Sequence, residues 1–89
     1  MRYLYTITDK TAVNRNMPAT ELIASETRLT RDELQLFALC LKDARDNAEK
    51  RGGYYTVRDV IQNAMCAFST TGHMLEFTYN PAITGSLTF

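Results

Sequence analysis

Residues 29–52 have the sequence LTRDELQLFALCLKDARDNAEKRG, which carries a start signal and a stop signal for one helix. Thr30 and Glu33 have the spacing of a capping box, in which the two side chains satisfy backbone N–H groups at the start of the first turn. Gly52 is placed to end the helix, because glycine readily adopts the left-handed conformation of a C-terminal cap. The segment therefore predicts a helix that begins after Thr30 and stops at Gly52.

The apolar residues between these signals follow the three-four spacing of one helix face. They are Leu34, Phe37, Leu41, Ala44 and Ala48. Leu36, Leu39 and Cys40 widen this stripe near the start of the helix. We therefore expect broad burial in the first half of the helix and a narrow buried face in the second half.

A second helix is predicted directly after the first one. Thr56 and Asp59 resemble a capping box with a shorter acidic residue. Apolar residues again mark one face, and they are Val57, Val60, Ile61, Ala64, Met65 and Phe68. Because the turn between the two amphipathic helices is short and contains Gly52 and Gly53, the sequence predicts an antiparallel helical hairpin.

Strands are predicted at both ends of the chain. Residues 2–8 alternate, with aromatic and β-branched side chains at every second position. Residues 74–79 alternate in the same way, and residues 86–89 are a candidate last strand that would form a hairpin with them. Between the first strand and the helices, residues 9–16 predict a polar loop. Residues 18–27 predict a short helix, because Pro at the first position is followed by helix-forming residues.

Together these elements predict one small α+β domain that spans residues 1–89. The N-terminal strand and the C-terminal strands would form a small antiparallel sheet of two or three strands, covered on one face by the helical hairpin. Such a sheet has open edges, and an exposed edge with aromatic side chains can pair with another chain.

Charge and composition restrict the classes of partner. Lys plus Arg number 10 and Asp plus Glu number 10, so the formal net charge is zero. Proteins dedicated to nucleic acids or membrane surfaces usually carry a basic excess. No apolar run approaches the length of a membrane span, and the first residues lack the apolar core of a signal peptide. Cys40 and Cys66 have neither disulfide-framework nor zinc-site spacing, so we expect a cytoplasmic protein with reduced thiols.

No group of residues has the pattern of a catalytic, metal or cofactor site. His73 is the single histidine of the chain. It lies between Gly72 and Met74, at the junction of the second predicted helix and the strand that follows, and this position favours a solvated or capping role. A thiol enzyme that used Cys66 and His73 would need the chain to fold back over about two helical turns. We therefore expect no enzymatic activity, no cofactor and no metal ion.

The turn between the helices is the strongest candidate for binding. Residues 50–58 place three cations and two tyrosines around a tight turn, and Arg and Tyr are over-represented in binding hot spots. The candidate partner-binding residues are Arg51, Tyr54, Tyr55 and Arg58, with Tyr3, Tyr5 and Tyr79 as a second candidate surface. A structural interpretation stays open, because cations stabilise the C-terminal end of a helix and Tyr55 can pack against the next one.

Our leading hypothesis is a non-enzymatic protein-binding module that covers a partner's surface, with a homodimer as one form of that partnership. In size and in its lack of motifs the chain is similar to small phage or mobile-element inhibitors of host factors, such as anti-CRISPR proteins, although no residue carries this resemblance. The alternative is a nucleic-acid-binding regulator. Its second helix would present Arg58, Asp59, Gln62 and Asn63 to base edges.

Overall fold

Strands and helices combine into an α+β fold in the computed structural model, which describes residues 2–52, 55–80 and 82–89. The strands are β1 (Tyr3–Thr8), β2 (Thr20–Ser25), β3 (Leu75–Phe77) and β4 (Gly85–Thr88). The helices are α1 (Lys10–Asn14), α2 (Arg31–Lys50) and α3 (Val57–Phe68), and a 3-10 turn at Ser69–Thr71 follows α3.

The sheet has four strands in the order β3-β2-β1-β4. β2 pairs antiparallel with β1 and with β3, whereas β4 pairs parallel with β1. The sheet is therefore mixed, and the prediction of two or three antiparallel strands is wrong. The predicted C-terminal hairpin is also wrong, because β3 and β4 lie at opposite edges. The amides of Thr78 and Thr84 donate to the carbonyls of Leu22 and Leu4, so each end of the connecting segment stays with a different inner strand.

The segment predicted as a short helix at residues 18–27 is the inner strand β2. Ile23 and Ala24 are both buried although they point to opposite faces of the sheet. Burial on both faces produces a continuous apolar run, which periodicity alone cannot distinguish from a helix. Pairing with β1 on one side and β3 on the other overrides the local helix propensity.

The segment predicted as a loop at residues 9–16 contains the five-residue helix α1. Asp9 is its N-cap, and its Oδ1 accepts hydrogen bonds from the amides of Thr11 at 2.8 Å and Ala12 at 3.4 Å. Asp is a preferred N-cap because its carboxylate satisfies amides that the first turn leaves unpaired. The prediction of a loop is therefore wrong, because a polar segment with an N-cap can form a short helix.

Both long helices begin at the predicted capping boxes. The amide of Thr30 donates to Glu33 Oε1 at 3.0 Å, and the amide of Thr56 donates to Asp59 Oδ2 at 3.0 Å. The ring centroids of Phe37 in α2 and Phe68 in α3 are 5.2 Å apart, so the first half of α2 lies against the end of α3.

The core lies between these helices and one face of the sheet. Its largest fully buried side chains are Phe37, Phe68, Phe89, Ile7, Ile23, Leu41, Ile61 and Val60. The alternation of β1 places Tyr5 and Ile7 on one face, and the structure shows that this face is directed into the core. The neighbouring positions Thr6 and Thr8 lie on the other face, where the two hydroxyls of Thr8 and Thr20 are 3.2 Å apart.

The apolar stripe of α2 is narrower than predicted. Leu36 is 41% exposed and Leu39 is 62% exposed, whereas Phe37 and Leu41 are buried. Leu39 lies two residues from each of these, which places it on the opposite side of the helix. The expectation of broad burial is wrong because the core contacts one side of α2 only. None of the described helices has the length and apolar character needed to cross a membrane.

Candidate functional site

The three tyrosines predicted as a second binding surface lie in different environments. Tyr5 is 3% exposed, and its hydroxyl oxygen accepts a hydrogen bond of 3.0 Å from the amide of Leu29. Tyr3 is half-buried against the core, and Tyr79 is 84% exposed. Tyr5 is therefore a core residue, which corrects the expectation that it offers contact area to a partner, and the three residues do not form one surface.

The described residues predicted around the turn also differ in their surroundings. Arg51 is exposed at the C-cap of α2, and Tyr54 lies outside the described residues. The Tyr55 hydroxyl donates to Glu49 Oε1 at 3.1 Å, and burial together with this carboxylate raises the pKa of Tyr55. The Tyr55 hydroxyl is therefore held by α2, the helix before it, whereas the sequence suggested packing against the helix that follows.

Arg58 is directed towards the sheet and away from the turn. Its Nη1 donates to Glu21 Oε2 at 3.3 Å, and its guanidinium carbon lies 4.0 Å from the centre of the Phe77 ring. A cation over an aromatic face is attracted by the ring quadrupole. Arg58 thus joins α3 to β2 and β3, and it becomes one wall of a groove at the edge of the sheet.

The four residues that would read base edges from α3 have different surroundings. Arg58 is occupied by Glu21 and Phe77, and the Asp59 carboxylate is occupied by the cap. Gln62 and Asn63 are exposed on this face. Asn63 lines a cavity together with Lys50 and Arg51 at the end of α2, so cations lie near this part of the helix.

Cys66 and His73 are held by different surroundings. Cys66 is exposed on α3, whereas His73 Nε2 lies against Glu33 Oε2 and the His73 ring stacks on Phe68 with centroids 5.5 Å apart. Cys40 is half-buried, and burial followed by the charge of Asp43 raises the pKa of its thiol. Within the described part of the chain, no three His, Cys, Asp or Glu side chains are grouped as metal ligands.

The feature most suited to binding is the open side of β3. Backbone groups of successive residues along a strand point alternately to its two sides. The amide of Thr78 donates to the carbonyl of Leu22 in β2 at 3.0 Å, so the backbone of Glu76 also points towards β2. The N–H and C=O groups of Leu75 and Phe77 consequently point away from β2, where no strand among the described residues pairs with them.

This strand lies between two cavities, one on each face of the sheet. On the helix side, a groove of about 440 Å³ runs between α3 and β3. Its lining includes Arg58, Gln62, Met65, Cys66, Met74 and Phe77. On the other side, a cavity of about 160 Å³ is lined by Arg2, Ala24, Glu26, Met74 and Glu76, among others. A segment beside β3 would therefore meet a pocket on each face.

The two cavities differ in charge. On the helix side, Arg58 is balanced by Glu21. Glu76 lines both cavities, but its carboxylate contacts Arg2, which lines the second one. On the other side, Arg2 lies 3.6 Å from Glu26 Oε1 and also contacts Glu76, so one cation faces two carboxylates. Counted over the described residues, the second cavity therefore has a local excess of one negative charge, although the whole chain is neutral.

The sequence indicates individual residues of this site but does not indicate that they lie together. The alternation of residues 74–79 predicts a strand, and residue type makes Arg58 a candidate contact residue. The edge position of β3 depends on its pairing with residues 20–25, which the sequence predicted as a helix. Comparison with models of protein families, with curated proteins and with solved structures found no match to this chain.

Proposed function

We propose that the protein is a non-enzymatic protein-interaction module that binds an extended segment of a partner by adding it to the sheet beside β3. The observation that supports this proposal is the outward direction of the Leu75 and Phe77 backbone groups between two cavities. In strand addition, main-chain hydrogen bonds supply affinity and pockets for alternate side chains supply specificity.

The backbone alone offers limited affinity. Leu75 and Phe77 each present one N–H and one C=O, and each hydrogen bond contributes about 0.5–1.5 kcal/mol net. Apolar contacts in the groove must supply the rest. Met74 is mostly exposed and Met65 lines the same groove. Methionine side chains adapt to differently shaped partners, which suits a surface that closes over an incoming side chain.

A segment held beside β3 is withdrawn from the partner's other contacts. By withdrawing that segment, the module would act on a larger protein without catalysing a reaction. This action agrees with the expectation of an inhibitor that covers a partner's surface. The partner supplies the strand, and this chain supplies the edge.

The experiment is a selection of linear random peptides, displayed on phage, against the immobilised protein. The enriched peptides are then labelled with a fluorophore and titrated by fluorescence polarisation. Leu75→Pro removes the outward N–H without removing a hydrogen bond to β2, and edge strands tolerate proline at such positions. Leu75→Val is the matched control, because it keeps the N–H and the β propensity. We expect Leu75→Pro to weaken binding by about tenfold or more and Leu75→Val to keep most of it.

Amide hydrogen exchange shows where on the protein the peptide binds. Binding beside β3 protects the amides of Leu75 and Phe77, which have no partner in β2. Peptides that bind Leu75→Pro and the unchanged protein equally would overturn the proposal. A selection that enriches no peptide would count against it too, because an open edge between two pockets should accept some extended sequence.

A further inference from the structure

We infer that the segment accepted beside β3 has an apolar–basic–apolar pattern, with Lys or Arg at the position that faces Glu76. This inference rests on the proposed strand addition and specifies the chemistry of the partner. It follows from the alternation of side chains along β3 and from the unequal charge of its two cavities.

The alternation assigns each incoming side chain to a face. Leu75 and Phe77 direct their side chains towards the helices, and Glu76 directs its side chain to the opposite face. Residues that lie directly opposite one another on paired strands share a face. The two incoming residues opposite Leu75 and Phe77 therefore enter the groove beside α3, and the residue between them faces Glu76.

The groove on the helix side selects apolar side chains. Among the described residues its lining includes Met65, Met74 and Phe77, and its Arg58 is already paired with Glu21. Glu76 also lines this groove, but its carboxylate is paired with Arg2 on the other side of the sheet. A charged side chain placed here would lose water without gaining an unpaired partner, which costs free energy. Apolar side chains would instead cover the exposed thioether of Met74.

The cavity on the other face selects a cation. The Glu26 and Glu76 side chains are 70% and 53% exposed, and they share the single guanidinium of Arg2. A Lys or Arg opposite Glu76 brings this cluster to neutrality. The aliphatic stem of such a side chain also packs along apolar surface, which the exposed side chain of Met74 supplies in this cavity.

The same charges disfavour a second copy of this chain as the occupant. Antiparallel pairing of two β3 strands about a two-fold axis at Glu76 would align Leu75 with Phe77 of the other copy. It would also set Glu76 directly opposite its own counterpart. Like charges directly opposite one another are destabilising in a sheet, whereas a basic residue at that position is attracted.

The test repeats the phage selection on Glu76→Lys and on the control Asp46→Lys. Asp46 is exposed on α2, so the control has the same change of charge on another element. We expect Lys or Arg at the central position with the unchanged protein and with Asp46→Lys, and Asp or Glu with Glu76→Lys. Synthetic peptides that differ only in Lys or Glu at that position should reverse their preference, by about threefold to tenfold in each direction.

The outcomes separate this inference from the function on which it rests. Peptides that are weakened by Leu75→Pro but show no charge preference would overturn the inference and leave strand addition standing. Peptides insensitive to Leu75→Pro would overturn both. Sedimentation velocity of the unchanged protein tests whether a second copy of this chain occupies the edge of β3. A dimer that Leu75→Pro abolishes would overturn the inference, because the second copy would then take the place of the basic segment.

Discussion

Arg45 in the middle of α2 donates a hydrogen bond of 3.0 Å to Oδ1 of Asp9, the N-cap of α1. The Asp9 side chain is almost completely buried, and the Arg45 guanidinium also lies 5.1 Å from the centre of the Phe89 ring. The Phe89 amide donates to the carbonyl of Thr8, and its own carbonyl accepts from Lys10. One ion pair therefore connects a helix, the end of β1 and the residue after β4.

Replacing Arg45 should destabilise the fold more than replacing any exposed cation of α2. Arg45→Met keeps an apolar stem but leaves the buried Asp9 carboxylate without its cation, and breaking a buried pair in this way costs about 3 kcal/mol. Lys42→Met is the matched control, because Lys42 is exposed on the same helix. Urea unfolding measures both variants, and equal free energies of unfolding would show that the Asp9–Arg45 pair adds nothing.

The contrast between Tyr5 and Tyr79 gives a second prediction about stability. Tyr5→Phe removes the acceptor of the Leu29 amide, and a buried donor left without a partner costs about 1–3 kcal/mol. Tyr79→Phe removes an exposed hydroxyl and should change the free energy of unfolding by less than about 0.5 kcal/mol. Thermal unfolding of the two variants compares them directly. Similar losses would mean that the Tyr5 hydroxyl is not the partner of Leu29.

The features that the sequence revealed are those with local causes. A capping box joins residues three apart, so Thr30 and Glu33 predict the start of α2 independently of the rest of the fold. The alternation of β1 is equally local, and it placed Tyr5 and Ile7 on the same face. The strand β2 has no such local cause, because Ile23 is buried by neighbours that are distant in the sequence.

The candidate site was hidden for the same reason. Leu75 and Phe77 form an edge only because residues 20–25 are a strand that pairs with one of their two sides. The sequence places Arg58 near a turn, but the residues that it contacts, Glu21 and Phe77, lie in strands of the sheet. Residue type makes Arg58 a candidate contact residue, and only the long-range pairing of strands shows that its side chain lies between α3 and the sheet.

The capping box of α2 predicts a loss of stability in acid. The hydrogen bond from the Thr30 amide is the main cause that lowers the pKa of Glu33 below its ordinary value of 4.5; burial opposes this, while the Thr30 hydroxyl and His73 add to it. A carboxyl group with a lowered pKa in the folded state stabilises the fold above its unfolded pKa. That contribution disappears as the pH falls through the folded pKa.

Glu33→Gln isolates this effect, because Gln keeps a side chain that suits the capping box but does not titrate. The unchanged protein should be more stable than Glu33→Gln at pH 7, and the difference should shrink as the pH falls below 4.5. Urea unfolding at several pH values measures both proteins. A difference that is constant from pH 7 to acid would show that the charge of Glu33 does not support α2.

The two cysteines provide a chemical probe of the proposed groove. Cys66 is exposed and lines the groove between α3 and β3, whereas Cys40 is half-buried and the pKa of its thiol is raised by burial and by Asp43. Because the thiolate is the reactive form, iodoacetamide should modify Cys66 faster, on the order of tenfold. Mass spectrometry of the two tryptic peptides measures each rate.

A peptide bound beside β3 should slow the modification of Cys66 and leave that of Cys40 unchanged, because only the first thiol lines the groove that the peptide fills. Leu75→Pro should abolish this protection at the same peptide concentration, while Leu75→Val should retain it. Protection of both thiols would indicate a global change in stability. Protection of neither thiol, at a concentration that saturates binding, would place the peptide elsewhere on the protein.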